Sequence, residues 1–219
     1  MGKTILTRYL QIALSLLQQD SVFRKYFYLT GGTALAEFYL HHRYSEDLDF
    51  FSETDIDKLW INAMANKLGK TLHAKKVDIQ QNFNRNLVFL TIEAEILKLE
   101  FTYFPFPRIN TLQVKNQLPI DSLLDIAVNK FFTIYQKPSS RHFIDLYLIL
   151  KKTPIQRNEL SKLARNKFDV VIDTLQLGSQ MVTANEVTDL PRMRVRLSEA
   201  TWRSFFMQKA LALKKELTV

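Results

Sequence analysis

Leu29-Thr30-Gly31-Gly32-Thr33-Ala34-Leu35 and, after seven further residues, Arg43-Tyr44-Ser45-Glu46-Asp47-Leu48-Asp49-Phe50 are the two stretches on which the fold turns. The run Tyr26–Leu29 is short, aromatic and aliphatic, and reads as a strand that ends at Thr30-Gly31-Gly32. An Ala- and Leu-rich helix follows from Thr33 to about His41, and a second strand covers Asp47–Phe51. A strand–Gly-Gly–helix corner at Gly31-Gly32-Thr33 frees backbone N–H groups and the positive end of a helix dipole for an anion. Two of the chain's five glycines are spent there, and without a Cβ a phosphate can approach the backbone closely. The corner is not a P-loop, because G-x-x-x-x-G-K-[ST] is absent.

Asp47-Leu48-Asp49 is a D-x-D on the second strand. Side chains at i and i+2 leave a strand on one face. Two adjacent carboxylates repel unless a cation lies between them, and hard oxygens of this kind suit Mg²⁺. Leu48, Phe50 and Phe51 are expected to point into the core and stiffen the strand. Taken singly, a D-x-D is as readily a solvated strand end and a Gly-Gly a plain turn. Their succession within one short stretch directs the reading to metal and phosphate.

Outward from this stretch, Leu6, Leu10, Ala13, Leu14 and Leu17 mark a first helix closed by Asp20-Ser21. Ile56, Trp60, Ala63, Met64 and Lys67 mark another, entered by Ser52 or Thr54 as cap. Val77–Gln81, Leu87–Glu93 and Ile96–Phe104 read as strands, the last ended by Pro105 and Pro107. In that last strand Leu97, Leu99 and Phe101 alternate with Lys98, Glu100 and Thr102, so Glu100 lies on the polar face. If it pairs with the D-x-D strand, Glu100 can join Asp47 and Asp49, and the three describe a two-metal phosphoryl-transfer centre. Helices are then expected over Ile120–Tyr135, Ser139–Lys152, Arg157–Lys167 or beyond, and Ser198–Leu217, with Trp202, Phe205, Phe206, Ala210, Leu213 and Leu217 on one face of the last. Residues 171–190 yield no role. The fold class is α+β: a mixed β-sheet flanked by helices, followed by a C-terminal helical bundle. The expected domains are 1–110 and a basic helical domain over 111–219.

Composition narrows the function. The chain has 219 residues, 47% hydrophobic and 24% charged, as in an ordinary globular protein. It has no cysteine, which excludes a disulfide scaffold and any Cys-based metal site or nucleophile, and its four histidines show no ligand spacing. Of the net charge of +8, residues 1–110 carry 13 basic against 12 acidic side chains and residues 111–219 carry 17 against 10. A near-neutral first half and a basic second half suit a polyanionic partner held by the second half, although a solvated basic surface has the same composition. Arg192, Arg194 and Arg196 alternate and would form a basic ridge in an extended segment. No apolar stretch approaches the roughly 20 residues a bilayer needs, and Gln11, Gln18 and Gln19 interrupt a signal-peptide pattern, so no membrane partner and a cytoplasmic location are expected.

The quoted stretches resemble the GGTAL…R-x-S-x-DLDF signature of AbiEii/AbiGii-type (MenA-like) nucleotidyltransferase toxins, within the polymerase-β-like nucleotidyltransferase superfamily. Further along, Leu97-Lys98-Leu99-Glu100-Phe101 is similar to the strand carrying the third acidic residue. Asp125-Ile126-Ala127-Val128-Asn129-Lys130 resembles an A-x-x-K helix, Arg141-His142-Phe143-Ile144-Asp145-Leu146-Tyr147 an R-D-x-x-D-L-Y helix, and Pro191-Arg192-Met193 the family's C-terminal end. His142 departs from the family, which commonly has Asp there.

The resemblance implies a nucleotidyltransferase-fold sheet and these roles. Gly31, Gly32 and Ser45 would contact nucleotide phosphates, with Thr33 in the same corner and Arg43 orienting the acidic loop or meeting phosphate. Asp47 and Asp49 would bind Mg²⁺ and Glu100 would complete the acidic set. Lys130 would neutralise triphosphate charge, and Asp145 would orient Lys130 or a substrate hydroxyl. Read from residues alone, Arg141 and Asp145 at i,i+4 are equally a surface ion pair, and Lys130 a solvated lysine. The implied activity is Mg²⁺-dependent transfer of a nucleoside monophosphate from an NTP to a hydroxyl, foremost the tRNA 3′ end, by the toxin of a toxin–antitoxin or phage-defence system, with any antitoxin encoded separately. The alternatives are a protein or small-molecule acceptor, or a nucleotide- or RNA-binding module without catalysis.

Overall fold

The computed structural model describes residues 4–217, side chains to residue 214; the outer ends of both expected domains and the side chain of Leu217 lie outside the described residues. The chain divides into two compact units, Met1–Ser122 and Leu123–Val219.

In the first unit, α1 (Arg8–Gln19) is capped by Thr7 and buries Leu10, Ala13, Leu14 and Leu17 at helical spacing. Asp20 then caps a short α2 (Ser21–Tyr26), so β1 is Tyr28–Thr30 rather than starting at Tyr26. From Gly31 the chain turns helical at once: α3 (Gly31–Leu35) runs into a π-helical turn over Ala36–Leu40 that ends on left-handed His41. Then come β2 (Asp47–Ser52), α4 (Lys58–Thr71, capped by Asp57, not Ser52 or Thr54), β3 (Lys76–Asn82), β4 (Arg85–Ile92) and β5 (Glu95–Tyr103). The buried stripe of α4 is Ile61, Met64, Ala65 and Leu68, whereas Ala63 and Lys67 face solvent.

Two further strands, β6 (Gln113–Lys115) and β7 (Leu118–Ile120), complete a seven-stranded mixed sheet of order β3-β4-β5-β2-β1-β7-β6. They extend the first unit past the boundary expected at residue 110, and Ile120 lies in a strand instead of opening a helix. The reason is pairing: β7 lies parallel to β1, with Leu29 opposite Ile120, and β6 folds back on β7. Strand β2 sits between β1, antiparallel, and β5, parallel. On one sheet face Leu48, Phe50, Val88, Leu90, Leu99 and Phe101 are buried. Phe50 stacks on Phe101, and Phe23, Phe27 and Trp60 close the cluster, with ring centroids 4.9–5.8 Å apart. Phe51 corrects the expectation of a core position. The period of two puts it on the opposite face with Asp47 and Asp49, where it stacks on Phe104.

The second unit is helical: α5 (Leu123–Gln136), α6 (Ser140–Lys152), α7 (Arg157–Phe168), α8 (Thr174–Val182) and α9 (Glu199–Leu217). Trp202 and Phe206 of α9 are buried against Phe143 of α6. Residues 171–190 supply α8, whose Leu177 and Met181 are buried, and a side chain that meets the first turn of α6. There Asp189 accepts the otherwise orphaned Ser140 N–H at 2.9 Å. Between α5 and α7, Lys167 Nζ lies 2.8 Å from Asp125 Oδ1, with both side chains out of contact with water.

Candidate active site

The Gly-Gly corner forms because only glycine fits it. Gly31 has φ +70°, a left-handed backbone that costs other residues about 1–2 kcal/mol. A Cβ there would stand 2.7 Å from Asp49 Oδ2. A Cβ on Gly32 would fall onto the Arg43 guanidinium and 3.3 Å from Ser45 Oγ. The corner is thus the point where Asp49, Arg43 and Ser45 converge on bare backbone. Gly31→Ala should therefore cost about 1–2 kcal/mol of stability and displace the Asp49 carboxylate; a urea melt of the variant matching wild type would refute this account.

Neighbouring contacts fix the corner in place. Thr33 is fully buried; its Oγ1 bonds the Asp47 carbonyl and lies 2.8 Å from Ser45 Oγ, so the hydroxyl ties helix to strand. Arg43, also buried, donates to the Tyr44 carbonyl at 3.0 Å and braces its own loop beside Gly32. Beneath, Thr30 Oγ1 donates to Asp121 Oδ2 at 2.6 Å and Tyr39 Oη to the Asp121 carbonyl at 2.7 Å. Burial, and then the nearby Asp121 charge, push the Tyr39 hydroxyl up to about 12, so it stays a donor. Nothing in the local sequence signals Asp121, which acts across 91 residues.

The three carboxylates share one sheet face. Asp47 and Asp49 alternate with buried Leu48 and Phe50, and parallel pairing sets Asp49 opposite Glu100 and Asp47 opposite Lys98. Each outer carboxylate faces a basic side chain. Arg85 of β4 grips Glu100 with two forked bonds of 2.6 and 2.7 Å, and Thr102 Oγ1 adds a third at 2.9 Å. Lys98 Nζ lies 3.1 Å from Asp47 Oδ2 and 3.9 Å from Glu100 Oε2. Among the described residues no three His, Cys, Asp or Glu side chains gather as a metal cage. On that face Glu100 is turned to Arg85. Asp47 and Asp49 remain a hard-oxygen pair beside the Gly-Gly backbone, and that pair fits a divalent cation. Arg85 and Lys98 had no assigned role in the sequence; both sit on the polar face of a strand, but which carboxylate each meets depends on register.

Burial raises the Glu100 carboxyl, but the Arg85 bonds and charge, with Thr102 and Lys98, outweigh it and hold the group below its ordinary 4.5. A depressed carboxylate stabilises the fold fully above its unfolded value. The contribution is lost as pH falls through the lowered folded value. Removing the grip with Arg85→Met should thus erase an acid-side loss of stability beginning below about pH 4.5. Urea midpoints of wild type and variant between pH 3 and 7 check this, and identical pH profiles would contradict it.

In the second unit Lys130 Nζ and Asp145 Oδ2 are 2.7 Å apart, with side-chain exposures of 9% and 0%. Asp145 is thus an interior acid on α6 joined to Lys130, while Arg141 faces solvent. His142 Nδ1 lies 3.0 Å from Ser139 Oγ at the start of the same helix. Arg192, Arg194 and Arg196 are all exposed in an irregular segment.

The model of the AbiEii family (Nucleotidyl transferase AbiEii toxin, Type IV TA system) matches residues 15–213, and the chain belongs to that family. The uncharacterized protein aq_aa25 of Aquifex aeolicus (strain VF5) is 32% identical over 148 residues, 65% of this chain and 66% of that protein, just under two thirds of its length. Among solved structures, JHP933 from Helicobacter pylori shares the fold at TM-score 0.59 and 17% identity, over 96% of this chain and 91% of its own. A second H. pylori chain matches at the same TM-score and identity over 94% of its length. Among the described residues no helix is long and apolar enough to cross a membrane.

Proposed function

We propose that this chain transfers a nucleoside monophosphate from an NTP to a hydroxyl of RNA, foremost the tRNA 3′ end, and that it does so as a toxin. The observation that carries the reading is the Asp47/Asp49 pair, set on one strand face against the bare backbone of Gly31. Asp47 and Asp49 would hold Mg²⁺, which, when bound, draws charge from the phosphate oxygens. Gly31 and Gly32 leave room for the phosphates, and Ser45 stands beside them. The acceptor oxygen forms a bond to the α-phosphorus, the bond to the β-phosphate bridging oxygen breaks, and pyrophosphate leaves while the hydroxyl proton passes to solvent or a carboxylate. Lys130, held by Asp145, is the proposed cation for triphosphate charge. A separately encoded antitoxin fits the family to which the chain belongs.

The test incubates the protein with Mg²⁺, each labelled NTP in turn, and total tRNA, with Asp49→Asn as the blank. Label on tRNA from a preferred NTP, absent in the blank, is the expected result. Label on protein instead would move the acceptor, and no label on any acceptor would overturn the enzyme reading.

RNA is the favoured acceptor because 17 of the chain's 30 basic residues lie beyond residue 110, against 10 acidic ones. Replacing Arg192, Arg194 and Arg196 together by Ala should weaken RNA binding and lower the slope of log K against log salt by about 2–3. NTP binding should not change. An unchanged salt slope in a filter-binding titration would remove the ridge from the acceptor site.

A further inference from the structure

Two cations share the acidic face, and they differ in kind. Arg85 holds Glu100 by a planar two-point fork, reinforced by Thr102, and has no comparable contact with Asp47. Lys98 touches Asp47 through a single ammonium contact of 3.1 Å, at the end of a flexible stem that is 28% exposed against a carboxylate that is 38% exposed. A fork loses two bonds when it lets go. A point charge at a half-open position exchanges one partner for water at little cost. We propose that Lys98 is an exchangeable counter-ion: it neutralises Asp47 until a divalent cation arrives at the Asp47/Asp49 pair, and it must leave Asp47 for that cation to bind. Metal binding is then a competition between an external cation and one supplied by the chain itself, and Lys98 sets the metal concentration at which the site fills.

The register explains why one residue can do this. Parallel pairing sets Lys98 directly opposite Asp47, two residues before the Asp49–Glu100 pair, so its side chain leaves the sheet on the carboxylate face. The fork from Arg85 already holds Glu100, which Lys98 reaches only at 3.9 Å, so the contact that Lys98 gives up is mainly the one with Asp47. The inference rests on the proposed metal role of Asp47 and Asp49.

The experiment is a Mn²⁺ titration of the full chain, by calorimetry and by the loss of free-ion paramagnetic resonance signal, with thermal melts run with and without Mn²⁺. Lys98→Met should bind Mn²⁺ roughly tenfold tighter than wild type. Lys98→Arg, which keeps the cation and adds a fork, should bind no tighter than wild type. Lys98→Met should melt lower than wild type without metal, because Asp47 loses its counter-ion, and Mn²⁺ should restore the difference. Equal or weaker Mn²⁺ binding by Lys98→Met, or a melting deficit that persists unchanged in saturating Mn²⁺, would overturn the counter-ion role and leave the metal reading standing. Asp49→Asn separates the two cases. If wild type and Lys98→Met bind Mn²⁺ no better than Asp49→Asn, the metal site itself is wrong and the counter-ion role falls with it.

Discussion

Asp47→Asn is expected to lower nucleotide transfer on the order of a thousandfold while leaving the fold intact. A divalent ion at a phosphoryl centre supplies several kcal/mol of charge stabilisation, and about 4 kcal/mol corresponds to that factor. The structural cost is small. Asp47 is half-exposed, its ion pair with Lys98 reaches solvent, and pairs of that kind contribute about 0–1 kcal/mol. Asn also removes one of two like charges two residues apart on one face, which relieves repulsion with Asp49. Activity and stability should therefore separate: label transfer falls to background while the urea midpoint moves by less than about 1 kcal/mol equivalent. A variant that keeps a tenth or more of wild-type activity would show that Asp47 does not carry the chemistry.

The second large effect lies in the helical unit. Lys167 and Asp125 form a 2.8 Å ion pair with exposures of 1% and 0%. Removing one partner from so dry a pair leaves a charge with neither water nor its counter-ion, at a cost of about 3–5 kcal/mol. Asp125→Ala should lower the stability of the helical unit by that amount. The double replacement Asp125→Leu with Lys167→Met keeps volume, removes both charges, and should return most of it. Urea melts of Asp125→Leu, Lys167→Met and the double form a complete cycle. A single variant that loses under about 1 kcal/mol would refute the account, as would a double no better than the singles.

The contrast between the two buried pairs of α5 also marks the reach of sequence reading. Lys130 and Asp145 stand out through a family pattern, whereas Asp125 and Lys167, the drier pair, carry no such mark and look like ordinary helix charges. The Gly-Gly corner and the D-x-D are legible because each depends on chemistry confined to a few residues: missing Cβ atoms and a period of two. Glu100 is legible for the same reason, since Leu97, Leu99 and Phe101 alternate with it. Arg85 is not, because its partner is chosen by how β4 slides on β5, and register is a tertiary property. Strands β6 and β7 escape notice because each has three residues and Pro119 occupies the middle of β7. The segment 171–190 is silent for another reason: α8 buries only Leu177 and Met181, too few apolar positions to set a period. Phe51 misleads through composition, because an aromatic beside a buried aromatic invites a core position that alternation forbids.

The hydrogen bond from Thr30 to Asp121 spans 91 residues, and the pairing of Asp49 with Glu100 spans 51. A ribosome making this chain releases the glycines and both aspartates early, yet Asp121, which anchors Thr30, emerges only after the sheet's last strands. Until Asp121 is out of the exit tunnel, Thr30 has no anchor and the loop entropy of the intervening chain opposes closure. A fragment of this sequence that stops before Asp121 thus carries the full acidic signature without the floor that positions it.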